Sequence, residues 1–513
     1  RQRQMCIRDR ICGQHVSVLL LFKISKPSSE NLLILKAARR AEFFVCSQKI
    51  QSQTDKSGDF MSTIAAISTG LAAGGIGIVR ISGENALNVA DSIFKTVQGI
   101  ELKKLSGYRA AFGRVFFDGK PIDEAVALVF RAPKSYTGED VVEISCHGGL
   151  YITKQVLRAA LKNGAVPAEP GEFTKRAVLN GKTDLTKAEA VMGIISAHGK
   201  EAGEAAFSAL EGALYKEIHK ITDVLLKINA ALAAWVDYPD DEIEDLTDES
   251  ILDAVTSSKT ALKELLNRFD AGQAITEGTE TAIVGRPNVG KSTLMNMLTG
   301  TEKSIVTSVA GTTRDIVEET VTIGNVTLRL ADTAGLRETD DTVESIGVER
   351  AKRKIAAAKL IIAVFDSSCA LSDEDREIFD LYSGKSCLAV INKTDLEPKI
   401  DEDEIKRNFE NVVYISAKDN SGLDLLRETI EKILGTANFD TTAALLMNER
   451  QLSCCEKAYS ALCEAENAEK TGVTRDAIQV CIDSAIENLM VLTGEKATES
   501  VVNEIFSQFC VGK

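Results

Sequence analysis

One stretch constrains this chain more than any other: a G-x-x-x-x-G-K-S pattern that runs from Gly285 to Ser292. It follows an apolar run over residues 281–284 that reads as a strand, and it precedes helical periodicity over residues 292–298. A glycine-rich turn between a strand and a helix aims backbone N–H groups at phosphate oxygens, and the helix N-terminus adds a favourable field. Asn288, Val289, Gly290 and Thr293 belong to that turn and its helix start. Lys291 is expected to reach the outer phosphates, and the Ser292 hydroxyl to sit on Mg²⁺. The pattern alone also arises in chance glycine-rich turns. The strand before it and the helix after it favour the phosphate site.

Three further segments follow in order. Asp332, Thr333, Ala334 and Gly335 end an apolar run over residues 326–330, which folds back through a turn at Gly324 and Asn325. Asp332 is expected to hold the metal through water, and the Gly335 amide to meet the terminal phosphate. Asn392, Lys393, Thr394 and Asp395 close a buried run over residues 388–391. The Asp395 carboxylate can accept two hydrogen bonds from N1 and the exocyclic amine of guanine, which adenine cannot offer. Ser416, Ala417 and Lys418 follow a run over residues 412–415 and can cradle the base carbonyl. Each element ends a strand, where doubly wound sheets place ligands. The expectation is a Ras-like doubly wound P-loop G domain over residues 276–436, specific for GTP.

The rest of the chain is organised around that insertion. With 513 residues there is room for about three domains. From residue 61 to 179, strand-like runs (76–82, 125–130, 141–146) alternate with helical ones (84–95, 150–162), which predicts an α+β domain. From 180 to 275 the apolar spacing is three and four, with a break at Tyr238 and a helix cap at Asp248 or Ser250. Helical texture returns over 437–513, so the two blocks read as one discontinuous bundle whose surface accepts the insertion. Residues 1–60 start on Arg1 and lack periodicity. They read as an artefactual start, with an organelle transit peptide as the alternative. The longest apolar run near the start, 16–22, is too short to span a bilayer. Eleven cysteines without a C-x-x-C pair fit reduced thiols in a cytoplasmic setting. The formal charge of -15 argues against a large RNA-binding platform, so RNA would need a local basic patch or a second protein.

Beyond the nucleotide motifs, the chain resembles the MnmE (TrmE) family of tRNA-modification GTPases from Thr63 onward. Leu336 follows Gly335 where Ras-like enzymes place the glutamine that orients water. The stretch 340–349 is similar to the family segment whose glutamate, here Glu344, orients that water instead. Residues Thr307, Ser308, Val309, Ala310, Gly311, Thr312 and Thr313 match its mobile loop, with Thr313 implied on Mg²⁺. Asn288, with oxygens from Thr307, Val309 and Thr312, resembles its potassium site, where a monovalent cation does the electrostatic work of an arginine finger. The chain ends Cys510, Val511, Gly512, Lys513, similar to the family's terminal signature. That implies a reactive Cys510 on a short mobile tail.

Signatures over 74–83, 135–143 and 170–182 are similar to the family's N-terminal domain. They imply homodimerisation and a tetrahydrofolate site (5,10-methylene or 5-formyl form) contacted by Arg80, Glu143, Lys182 and Lys513. The sequence departs from the family pattern at Thr69–Ala73, which lacks a usual proline, and at Cys146. The implied activity is potassium-stimulated GTP hydrolysis with Lys291 and Glu344 in catalytic roles. It is coupled, in a heterotetramer with an FAD-containing MnmG/GidA-type protein, to aminomethyl-type modification of C5 of the tRNA wobble uridine. The rival reading is a ribosome-assembly GTPase acting as an RNA-binding switch. A scaffold that merely binds GTP has no need of Glu344, Thr313 and Asn288.

Overall fold

The structure is a computed structural model that describes residues 62–197, 199–237, 247–299, 319–331, 357–380, 385–437 and 439–513. The first sheet holds strands β1 (Ile64–Ile67), β2 (Ile76–Ser82), β3 (Phe94–Thr96), β4 (Arg109–Phe117), β5 (Lys120–Phe130), β6 (Val141–His147) and β7 (Val166–Pro167). Their order is β3-β4-β5-β6-β2-β1-β7. Alternation along β2 and β6 buries Val79, Ile81, Val142 and Ile144 on one face, under Val156, Ala159 and Ala160 of the helix Leu150–Lys162. Arg80 and Glu143 therefore point to the other face, and the antiparallel β2–β6 register sets them directly opposite one another.

Sequence periodicity gave β2, β6 and the helix Leu150–Lys162 close to their observed bounds, and only the second half of β5, which starts at Lys120 rather than Ala125. It missed β1 and β4. The first is four residues of a small apolar run, and the second opens on Arg109, Ala110 and Ala111, which show no alternation. The helix expected over 84–95 is shorter, Ala86–Ile93, because Phe94 turns extended and pairs with Val115 of β4.

The two helical blocks share one core. Leu214, Ile218 and Leu225 of Ala213–Asp237 and Val255 and Leu262 of Asp248–Asn267 meet Cys455 and Leu462 of Glu449–Lys470 and Ile482 and Leu489 of Arg475–Thr493. Residues on both sides of the G domain are thus needed to close it. The cap of Asp248–Asn267 is Thr247, not Asp248 or Ser250. Thr247 has the extended backbone a cap requires and accepts from the Ser250 amide, and the Ser250 hydroxyl bonds back. The break read at Tyr238 lies outside the described residues.

The second sheet comprises β8 (Thr279–Val284), β9 (Glu319–Ile323), β10 (Val326–Ala331), β11 (Leu360–Asp366), β12 (Ser386–Asn392) and β13 (Asn411–Tyr414), in the order β13-β12-β11-β8-β10-β9. All neighbours are parallel except β9 and β10, whose hairpin closes through Gly324 and Asn325 as expected. Strand β11 is buried along its whole length and lies between β8 and β12. The carboxyl ends of β8, β11, β12 and β13 therefore face one rim. Among the described residues no helix is long and apolar enough to cross a membrane.

Candidate guanine-nucleotide site and the C-terminal tail

The phosphate loop leaves β8 with Gly285 at φ +154° and Gly290 at φ +100°. A Cβ on Gly285 would stand 2.5 Å from the Val364 carbonyl oxygen, and one on Gly290 2.2 Å from Asn392 Nδ2, so neither position admits a side chain. The helix Lys291–Thr299 begins immediately after. Lys291 folds back over the loop and donates to the Gly285 and Arg286 carbonyls at 2.5 and 2.8 Å. Burial pushes its ammonium pKa down, and among the described residues no carboxylate pairs with it. A half-buried cation held only by carbonyls, over a turn whose two glycines leave no room for a Cβ, fits phosphate oxygens by charge and by shape. Ser292 and Thr293 at the helix start are exposed, as is Asn288, whose backbone sits at φ +63°.

The base-recognition loops are tied to this turn through one buried amide. Asn392, 2% exposed, donates from Nδ2 to the Val289 carbonyl at 2.9 Å and accepts at Oδ1 from the Ala417 amide at 3.0 Å. Lys393 donates to the Asn288 carbonyl at 2.8 Å and pairs with Asp366 at 2.5 Å. Burial would raise the Asp366 carboxyl, but hydrogen bonds from Lys393 and Ser368 hold it below the usual range. Ser416 Oγ donates to Asp395 Oδ1 at 2.8 Å, which steers the exposed carboxylate. Thr394 and Lys418 complete the rim.

Asn288, Gly290, Asn392, Asp395, Ser416 and Ala417 thus converge on one rim. Thr307 through Thr313, Asp332 through Gly335, and Glu344 lie outside the described residues.

A second constellation forms where the chain end meets the N-terminal sheet. Arg80 Nε donates to Glu143 Oε1 at 2.8 Å, and its guanidinium lies 5.2 Å from the Tyr136 ring centroid and 5.4 Å from that of Phe173. Arg80 Nη1 also donates to the Gly512 carbonyl at 3.3 Å, which accepts from Ser68 Oγ at 3.1 Å as well. The Gly171 amide donates to the Cys510 carbonyl at 3.3 Å and the Phe173 amide to that of Lys513 at 3.2 Å, while Pro170 bridges to Val511. Sequence reading expected a mobile tail. It is instead pinned by backbone hydrogen bonds, because Gly512, at φ +98°, lets the chain pass where a Cβ would meet the Ile67 carbonyl oxygen at 2.2 Å. The Cys510 side chain stays exposed. Lys182 donates to the Pro133 carbonyl at 3.0 Å and packs on Gly138, in the loop that carries Tyr136.

Sequence reasoning missed Asp366, Tyr136 and Phe173. Asp366 ends an apolar run like the other site strands, a signal that was available. The two rings lie inside the stretches 135–143 and 170–182, but their place against Arg80 is set by tertiary contact.

The family description "MnmE helical domain" matches residues 185–510, and "GTP-binding protein TrmE N-terminus" matches 63–182. A tRNA modification GTPase MnmE of Lactococcus lactis subsp. cremoris is 43% identical over 453 residues, 88% of this chain and 98% of that protein. The chain belongs to the MnmE family. The MnmE protein of Bacillus subtilis is 39% identical over 459 residues, 88% of this chain and all of its own length. A crystal structure of Era with ribosomal RNA is 34% identical, covering 35% of this chain and 65% of that one, at a TM-score of 0.25. As an MnmE-family protein the chain is a GTP hydrolase of the tRNA-modification class.

Proposed function

We propose that this chain is a potassium-stimulated GTPase that adds an aminomethyl or carboxymethylaminomethyl group to C5 of the tRNA wobble uridine. It does so with an FAD-containing partner of the MnmG/GidA type. The observation that carries the reading is the pairing of two sites on one chain: the nucleotide rim, and the Arg80–Glu143 pair with the docked tail.

On the rim, Lys291 neutralises phosphate charge, Asp395 selects guanine, and Ser292 and Thr313 hold Mg²⁺. Asn288 supplies an exposed side chain for potassium, completed by oxygens of Thr307, Val309 and Thr312, and Glu344 orients water through a bridging water. In the second site, Glu143 accepts from donors of a pterin, and Arg80, Lys182 and Lys513 suit the carboxylates of a glutamyl tail. The tetrahydrofolate supplies the one-carbon unit. This chain's residues hold it, beside the exposed Cys510 thiol. The protein acts in the cytoplasm as a homodimer through its N-terminal domain, within a heterotetramer.

The test is Cys510→Ser, with GTP hydrolysis and wobble-uridine modification measured on the same preparation. Retained hydrolysis with lost modification supports the reading. Full modification by the variant, or normal tRNA nucleosides with immature ribosomal subunits in a deletion strain, overturns it.

A further inference from the structure

The helix Leu150–Lys162 carries three cations, Lys154, Arg158 and Lys162, and no acid. At 100° per residue these three and Tyr151 fall within an arc of about 80°. All four are exposed, Tyr151 by 71%. The opposite side, with Thr153, Val156, Ala159 and Ala160, is buried. Cations four residues apart stand about 6 Å apart along the axis.

Among the described residues no carboxylate pairs with Lys154 or Arg158, and Lys162 meets Asp118 in a pair whose two side chains are 61% and 56% exposed. Other helices of this protein set acids beside their cations, as in Lys220–Glu217, Lys406–Glu402 and Lys470–Glu466. The local sequence shows the same contrast. Residues 63–182 hold 15 Lys and Arg against 11 Asp and Glu, in a chain whose formal charge is -15. Residues 63–182 thus carry a net positive charge in an acidic chain, and this helix contributes three cations and no acid to it.

We propose that the exposed face of the helix Leu150–Lys162 binds RNA backbone, with Lys154 and Arg158 on phosphates and Tyr151 stacked on an unpaired base. This rests on the reading of tRNA as substrate. Charge complementarity selects the occupant: two unpaired cations about one helical turn apart offer a polyanion more than they offer a protein surface, and an exposed tyrosine among them provides a stacking platform. The face lies across the sheet from Arg80 and Glu143, because Val79 and Ile81 of β2 pack toward this helix while Arg80 points away. It therefore holds the body of the RNA and reads no base at the modification site.

The test uses the full chain and an in vitro transcribed tRNA, with fluorescence anisotropy over a series of KCl concentrations. Lys154→Glu combined with Arg158→Glu should weaken binding more than tenfold and reduce the slope of log K against log[KCl] by about 1–2. Tyr151→Ala should weaken binding several-fold and leave the slope unchanged. An unchanged thermal midpoint shows that the variants fold. If the double variant keeps wild-type affinity and slope, the surface is refuted and the tRNA reading stands. If the wild-type chain has no affinity for tRNA, alone or with its flavoprotein partner, the substrate reading fails and takes this surface with it. Binding to phosphatidylglycerol vesicles in place of tRNA, lost in the double variant, also overturns the proposal.

Discussion

Replacing Asn392 by alanine tests whether one amide organises the whole nucleotide end. Its side chain is 2% exposed and satisfies two backbone groups from different loops, the Val289 carbonyl in the phosphate loop and the Ala417 amide in the base loop. Alanine removes both partners and adds none. A buried polar group left unpaired costs about 1–3 kcal/mol, so the pair costs about 2–6 kcal/mol. A chain built from several cores does not unfold in one step, so this cost is best read from ligand affinity. Without nucleotide the two loops can relax into water, whereas a bound nucleotide requires both in place, so the penalty falls on binding. The lower bound alone raises Kd about thirtyfold. Fluorescent-nucleotide titration should show this rise for GTP and GDP alike, because the brace acts on loops that both ligands use. Hydrogen exchange at the Ala417 amide, which donates to Asn392 Oδ1, should accelerate in parallel. A Kd within threefold of wild type with unchanged exchange would refute the reasoning.

Three shorter tests bear on the same surfaces. Gly290→Ala puts a methyl 2.2 Å from Asn392 Nδ2 at a φ of +100°, so GTP binding should fall below detection by titration while the first sheet and the bundle keep their circular dichroism. Gly512→Ala should undock the tail, measured as at least tenfold faster release of Lys513 by carboxypeptidase. Asp366 has a depressed carboxyl pKa, so its pairing with Lys393 stabilises the protein above the unfolded value of about 4 and is lost as pH falls through the folded value. Asp366→Asn should therefore lower the G-domain melting midpoint at pH 7 and flatten its fall below about pH 4, as followed by thermal scans across pH.

The sequence was most legible where chemistry dictates residue identity. Phosphate and guanine contacts require particular residues at the ends of β8, β12 and β13, so motif and strand end identified one another. Strand β11 is as apolar and more buried, yet no motif follows it, and Asp366 passed unnoticed although it anchors Lys393. The helical blocks were readable as periodicity. Their shared core was an inference from chain order that Cys455 and Leu489 packing with Leu225 bears out. The tail was the least legible part. Its partners include Ser68 and Arg80, more than 400 residues away, and nothing local in Cys510 to Lys513 announces that the backbone is bound.

A set of contacts runs from the segment that follows the G domain to the helix before the tail. The chain returning from the G domain packs Leu446 into the bundle core, and the next residue, Met447, donates its amide to Gln451 Oε1. Gln451 and Arg450 both hold Glu189, Arg450 through two hydrogen bonds of 2.8 Å, and Arg450 also caps the Val491 and Leu492 carbonyls. Glu189 belongs to the helix Leu185–Ser196, and Leu185 of that helix packs with Phe506 and Phe509 just before the tail. A buried ion pair of this kind adds little net stability but resists being pulled apart, since separating it strands charge away from water. Rotation of the G domain that reaches Met447 must therefore either be absorbed before that residue or move the Leu185–Ser196 helix as a unit. Only the second outcome displaces the packing beneath Cys510.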